Sequence, residues 1–539
     1  MTDASEAKTF AREWIADNRE WLGEFEQEIW DYHEPAWREF RSAEAYVELL
    51  RERGFEVEEG TGGMPTAFLA TYERGDGDGP TLASYAEYDA VPGNSQQRKP
   101  YRAPREGVHP YAAGHTDPHS VLGVGTLGGI LAAKATMEAF GIDGRLKYFG
   151  EPAEKVCGSK PVHAAKGYFD DHDANIAFHP YSTNTVEWET YCGSYWSVVF
   201  TFEADNPEAW ASPGIVPSDS THAQPRCPGA LDAVSLMYTN VKHVKESMFP
   251  HTGSWTMNEY VFYGGQKTSD NLTPRISQIQ YCWRSPTLDI QRRMYDILRR
   301  NAEAVAEATS CTVAERWVTK TRVGLPNNEL AALTYANLEE TGAPSLSDSA
   351  REFGREIQKN LGREPLDEPF EPAAQRLTDP EEYEAEKRSL LPDWQRNFTS
   401  DDYVDYSWHA PTVRLYTGRP RLRSPDEDYS YPEWTYNALG GVPEVTHPGM
   451  FTACETIGTT LIDLLVKPDA LARAQSEFED RTGGGVGGDD WVGPLLDEEF
   501  VPPTDLPWPE YVERNGQREW HLPTPRAETP LAGRYHDQP

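Results

Sequence analysis

Gly114-His115-Thr116-Asp117-Pro118-His119-Ser120-Val121-Leu122-Gly123 sets two imidazoles and a carboxylate on a short turn bracketed by Gly and Pro. A small, apolar, helix-forming run follows at Leu127 to Phe140. Donor side chains at the mouth of a helix are held rigidly, which suits metal binding. Alone, the stretch is only a polar turn. Its weight depends on whether distant segments bring partners to those three side chains.

The flanking segments supply a frame. Helical spacing of Trp14, Ile15, Trp21, Leu22, Phe25 and Ile29, repeated over Ala43 to Leu50, predicts helices up to a stop at Gly54. Apolar runs at Thr66 to Tyr72 and Thr81 to Tyr85 read as strands, as do Gly144 to Phe149 and Ala174 to Phe178. The helices Leu127 to Phe140 and Lys160 to Lys166 alternate with them. That alternation predicts an α/β fold with a mostly parallel sheet, whose functional groups belong at the carboxyl ends of strands. From Glu187 the character changes. Strand-like Glu187 to Phe202, Trp255 to Phe262, Ile276 to Trp283 and Cys311 to Thr319 surround helices Ala230 to Glu246 and Leu288 to Ala308. This is the β-α-β-β-α-β order of an inserted α+β (ferredoxin-like) module.

The expected divisions are a catalytic domain in two parts, 1–186 and 321–480, an inserted module at 187–320, and a C-terminal extension at 481–539. Gly483 to Gly488 reads as a hinge. The Pro-containing tail beyond it is expected to lie on the body or to be unstructured.

Over 539 residues, 87 acidic against 50 basic side chains give a formal charge of −37. Such a charge repels nucleic acid and anionic membranes, so neither is expected as a partner. The acids are scattered and Lys is scarce beside Arg, a pattern that resembles proteins of salt-loving organisms. The 6 cysteines include no Cys-x-x-Cys pair and read as buried small residues, not as a disulfide framework. The N-terminus has no basic-then-apolar signal, and no run approaches the ~18 apolar residues of a membrane span. A soluble, cytoplasmic protein is expected.

Four further segments carry chemistry: Glu87-Tyr88-Asp89 and Glu151-Pro152-Ala153-Glu154-Lys155, each just past a strand, His179-Pro180 at a strand end, and His447 entering the helix that runs to Leu465. Imidazoles and carboxylates at successive strand ends converge at one edge of a parallel sheet. That donor mixture suits Zn²⁺ and similar divalent ions.

In this order the motifs resemble the metal-dependent aminoacylase and glutamate-carboxypeptidase superfamily (the zinc peptidase-amidohydrolases), in particular its aminobenzoyl-glutamate utilization protein B branch. Gly63 to Phe68 and Glu87 to Gly93 look like early motifs of that branch. Gly114 to Gly123 is similar to the signature Gly-His-x-Cys-Gly-His-Asn-x-x-Gly, with Asp117 in place of Cys and Ser120 in place of Asn. Gly150 to Lys155 resembles the Pro-Ala-Glu-Glu segment, Asp402 to Trp408 an Asp-Val-Gly-Asp-Val-Ser-Trp segment, and His447-x-Gly449-Met450 the last ligand motif. Thr221-His222-Ala223 and Gly229 to Val234 resemble the lid, or dimerisation, module.

The resemblance implies hydrolysis of an amide bond in an N-acyl or N-aroyl amino acid or small peptide. It implies Asp117, His119, His179 and His447 as metal ligands and Glu154 as general base. His222 would polarise the scissile carbonyl of a neighbouring active site in a homodimer. Asn271 and Arg284 would contact a substrate carboxylate, and Asp89 would orient a ligand imidazole, with Glu87 a candidate for the same role. The cofactor is a divalent ion, Zn²⁺ or Mn²⁺, one or two per chain with one favoured. One position departs from the pattern: Lys155 stands where the family has a ligand Glu. Three readings follow from it. The site holds one ion with Lys155 paired to Asp117 or Glu151; or Glu154 or Glu151 steps in as ligand; or the chain is a degenerate member that binds without turnover.

Overall fold

The computed structural model describes residues 3–205, 229–266, 273–424 and 429–521. Eleven strands form two sheets: β1 (Glu56–Glu59), β2 (Phe68–Arg74), β3 (Thr81–Ala86), β4 (Gly144–Gly150), β5 (Ala174–Tyr181), β6 (Thr185–Val186), β7 (Ser194–Ala204), β8 (Thr256–Tyr263), β9 (Ile276–Ser285), β10 (Cys311–Lys320) and β11 (Thr412–Gly418). The larger sheet has the order β1-β2-β4-β3-β5-β11-β6. Its four central strands run parallel, and the outer pairings β1-β2, β2-β4 and β11-β6 are antiparallel. Every residue of β3 is buried, as a central strand covered on both faces requires. The pairings Ala86↔Gly150 and Gly418↔Tyr181 bring the carboxyl ends of the parallel strands to one edge.

The helix that follows the opening stretch spans His119–Phe140 and so begins well before the expected Leu127. The helix carries glycines at 123, 125, 128 and 129, each of which costs about 1 kcal/mol in a helix interior. Here they allow close packing. A Cβ on Gly128 would meet Cys454 Sγ at 2.5 Å, and one on Gly129 would meet Ile457 Cγ2 at 2.6 Å, both on the helix Pro443–Val466. These two helices are long and apolar enough to cross a membrane, which corrects the reading that no run comes near that length. Their apolar windows are 89% and 83% buried inside the fold, where they form its core.

The smaller sheet is antiparallel in the order β10-β7-β9-β8. Trp196, Val198, Phe200 and Phe202 of β7 pack with the helices Ala230–Met248 and Leu288–Ala308. The alternate residue Val199 turns to the other side and packs with Trp37, Met64 and Trp508. Residues 187–193 do not join the strand; Glu187 is buried and accepts from Tyr416 Oη at 2.6 Å. From Gly483 to His521 the chain lies on the body, with Leu496, Leu506 and Trp508 buried, and it makes a hairpin of β12 (Glu510–Arg514) and β13 (Gln517–His521).

Candidate metal centre

The site is built where β3, β4 and β5 end. Glu87 and Asp89 follow β3, Glu154 and Lys155 follow β4, His179 lies on β5, and His119 opens its helix. His119 Nδ1 sits 2.9 Å from Asp89 Oδ1, and the other oxygen of Asp89 accepts from the Lys155 N–H at 2.9 Å. This contact assigns the imidazole proton to Nδ1 and turns Nε2 into the cluster. Around Nε2 lie Glu87 Oε2 at 3.2 Å, Glu154 Oε2 at 3.2 Å and Asp117 Oδ2 at 3.8 Å. His179 Nε2 is 3.5 Å from Asp117 Oδ1.

Glu87 Oε2 and His119 Nε2 are buried without a hydrogen bond of good geometry, although they are 3.2 Å apart. Leaving such an atom unsatisfied costs about 1–3 kcal/mol. Donor atoms of Glu87, His119 and His179 lie within 4.8 Å of one another, as do those of Asp89, His119 and Glu154. Imidazole nitrogens and carboxylates at this spacing fit a divalent ion.

The electrostatics agree. Burial opposes a charge on His119, as does Lys155, yet Glu87, Asp89 and Glu154 hold its pKa well above the usual value. Surroundings that stabilise a proton on that ring also stabilise a cation beside it. Burial pushes His179 down to about 4, which keeps its ring neutral and able to donate a lone pair. Burial likewise raises Glu87 to about 7, against the pull of Lys160 and His119. For Glu154 burial is outweighed by Lys155 and His119, which hold it well below the usual carboxylate range. It is therefore an anion there, with a lower proton affinity than a free carboxylate.

The turn carrying Glu154 and Lys155 is flanked by Ala153 (φ 58) and Cys157 (φ 50), both left-handed. Non-glycine residues there cost about 1–3 kcal/mol each. The Ala153 N–H donates to the buried Glu39 Oε1 at 2.7 Å, which helps to hold the turn.

Two lysines are part of the site's surroundings. Lys155 Nζ donates to Asp117 Oδ2 and Glu154 Oε2, each at 2.6 Å, and not to Glu151. Glu151 is bound by His163 and Tyr406 instead, which removes it as a substitute ligand. Lys160, fully buried, donates to Glu87 Oε1 and Asp402 Oδ1, each at 2.7 Å, with its ammonium over the Tyr85 ring. Asp401 accepts from Arg414 at 2.6 Å and from the Tyr403 N–H, so it is Asp401 that caps the 3₁₀ turn, not Asp402 or Asp405. Asp405 pairs with the buried Arg322. Lys160 and Asp401 were missed in the sequence. The signal available for Lys160 was a lysine opening a short, mostly apolar run.

His447 is not brought to this cluster. Its ring lies on Gly23, where a Cβ would come within 2.7 Å of Cε1, and its Nε2 is 3.1 Å from Glu26 Oε2. Glu26 is also held by Ser120 Oγ at 2.6 Å. A surface groove of about 710 Å³ borders His447, Arg19, Glu24 and Gln27; none of Asp117, His119, Glu154 or His179 lines it. Arg284 stands on β9 against the Tyr195 ring and within electrostatic range of Glu154. His222 and Asn271 lie outside the described residues. His115 is fully buried next to the cluster, and its pKa is pushed well below the usual value by burial and by His119.

Comparison with known proteins identifies relatives over most of the chain. No family model matches. One of the subunits of the p-aminobenzoyl-glutamate hydrolase of Escherichia coli K12 is 26% identical over 484 residues, covering 88% of this chain and 95% of that protein. The Xaa-Arg dipeptidase of Mus musculus is 26% identical over 341 residues, covering 60% of this chain and 68% of that enzyme. A crystal structure of an aminobenzoyl-glutamate utilization protein from Klebsiella pneumoniae shares the fold at a TM-score of 0.50 and 15% identity, covering 84% of this chain and 98% of that one. The curated relatives are named as hydrolases of amide or peptide bonds, and the likeness supports an enzyme of that kind.

Proposed function

We propose that this amidohydrolase cleaves the amide bond of an N-acyl or N-aroyl amino acid resembling aminobenzoyl-glutamate, or of a small peptide. The observation that carries the reading is the convergence of His119, His179, Asp117, Glu87 and Glu154 at the carboxyl edge of the parallel strands, with Glu87 Oε2 and His119 Nε2 buried and unbonded. Asp117, His119, His179 and Glu87 would hold a divalent ion, Zn²⁺ or Mn²⁺; His447, carried in the ligand set by resemblance, drops out because it packs on Gly23 and Glu26. When bound, the ion supplies a Lewis acid for the scissile carbonyl and lowers the pKa of a water.

The chain's own residues do the rest. Asp89 fixes the His119 tautomer. Glu154 takes the proton of the attacking water and delivers it to the leaving nitrogen, a transfer that typically contributes about 10²- to 10⁴-fold. Arg284 pairs with the substrate carboxylate, with Asn271 as its companion, and His222 of a second copy of the chain polarises the carbonyl. The assembly we favour is a homodimer through the four-stranded sheet. The Escherichia coli relative is named as one subunit of its enzyme, so a second kind of chain is the competing assembly, and light scattering of the pure protein separates the two. The five described cysteines are free, which suits a cytoplasmic setting, and the charge of −37 suits concentrated salt.

The test is hydrolysis in molar KCl of p-aminobenzoyl-glutamate and simple N-acyl amino acids with added Zn²⁺, Mn²⁺ or Co²⁺. Glu154→Gln is expected to abolish turnover while the metal stays bound. Undiminished turnover in that variant would remove Glu154 as the base.

A further inference from the structure

We infer that the Lys155 ammonium is a built-in second cation of this centre, holding the seat on Asp117 and Glu154 that a second divalent ion would otherwise take. The inference rests on the metal-hydrolase reading above. The cluster offers two groups of donor atoms that share Asp117, one through each of its oxygens. The first comprises donor atoms of Glu87, His119 and His179 within 4.8 Å of one another, with Asp117 Oδ1 beside them at 3.5 Å from His179 Nε2. The second comprises Asp117 Oδ2 and Glu154 Oε2, both of which face His119 Nε2. Lys155 Nζ binds the second group at 2.6 Å to each oxygen, so those two oxygens are already spent on a cation.

The placement is enforced from both ends of the residue. The backbone N–H of Lys155 donates to Asp89, the carboxylate that also orients His119, while its Nζ spans the two acids. A side chain tied in this way does not swing aside at little cost, and its charge repels any ion approaching the same oxygens. In the first group the only ammonium is that of Lys160 on Glu87 Oε1, and Glu87 Oε2 and His119 Nε2 carry no hydrogen bond of good geometry. Lys155 therefore acts as a positioning residue. It limits the centre to one exchangeable ion and anchors the base and Asp117 at fixed separation. An ammonium cannot be removed by a chelator, so part of the cationic charge of this centre is permanent.

The experiment is Zn²⁺ binding to the full chain, metal-depleted and then dialysed against Zn²⁺ in molar KCl, with the bound metal counted by elemental mass spectrometry. The wild-type chain is expected to hold one equivalent, and Lys155→Glu two. Two equivalents on the wild type overturn the inference and leave the hydrolase reading standing. One equivalent on Lys155→Glu, with its circular dichroism unchanged, overturns it as well. Should that variant not fold, Lys155→Met, which keeps the length without the charge, is expected to take up more Zn²⁺ than the wild type, and no gain there overturns the inference. No equivalent on a folded wild-type chain removes the metal reading itself, and this inference with it.

Discussion

Lys155 and Lys160 lie five residues apart and make the same contact, one ammonium between two carboxylates, in opposite surroundings. Lys155 bridges Asp117 and Glu154 at the rim, where its side chain keeps 21% of its exposure and Asp117 keeps 31%. Lys160 bridges Glu87 and Asp402 with no exposure on any of the three side chains. Where solvent reaches, the pair adjusts the charge of the candidate metal centre. Where it does not, the pair holds together segments 242 residues apart in sequence. The chemistry of the contact is the same in both places, and burial decides what it does.

If that contrast holds, variants in the two networks should fail in different ways. The largest effect is expected for Glu154→Gln in the Lys155 network. Turnover should fall by about 10²- to 10⁴-fold, as loss of a general base predicts, with the denaturation midpoint nearly unchanged. Lys160→Met should do the reverse first. Removing one partner of a buried pair typically costs about 3–5 kcal/mol, which urea denaturation would show as a marked drop in midpoint. Lys155→Met should cost less than Lys160→Met, because Lys155 and Asp117 keep 21% and 31% of their side-chain exposure. Equal destabilisation by the two lysine variants would break the comparison.

A third, smaller effect tests burial without a lysine. His172 is enclosed by Phe149, Phe169 and Tyr406, and its Nδ1 lies 2.8 Å from Asn175 Oδ1. Burial, together with the nearby Lys147, pushes its pKa down from 6.5 to about 3. The unfolded chain therefore binds a proton that the folded one refuses. Stability is lost as pH falls from about 6.5 towards 3, by at most about 1.4 kcal/mol per pH unit for this group. His172→Gln is expected to flatten the acid limb of stability measured by urea denaturation. An unchanged slope would mean that His172 is protonated in the fold.

Much of the site was legible because its parts sit in short motifs beside strand ends. Asp89, Asp117, His119, Glu154 and His179 could each be singled out, and the parallel sheet brings them together. The inaccessible parts are those that depend on long-range packing. Glu87 read as a second orienting residue beside Asp89, since nothing local shows which of its oxygens faces His119. Lys160 meets Asp402 only after the chain has returned to the sheet at β11. The early start of the His119–Phe140 helix was hidden because Gly123 and Gly125 weaken the local helix signal, and their close packing on Tyr46 and Phe178 shows only in the fold. His447 was read from its place at a helix start, but the first helix, Ala4–Tyr32, supplies Gly23 and Glu26 as its partners.

The most direct measurement is release of the free amino acid from p-aminobenzoyl-glutamate and from N-acetyl amino acids by the purified chain in molar KCl, before and after chelation. The account predicts release that is lost with a chelator, restored by Zn²⁺ or Mn²⁺, and absent in Glu154→Gln. Release that survives thorough chelation with no metal bound, or that persists in Glu154→Gln, would contradict it.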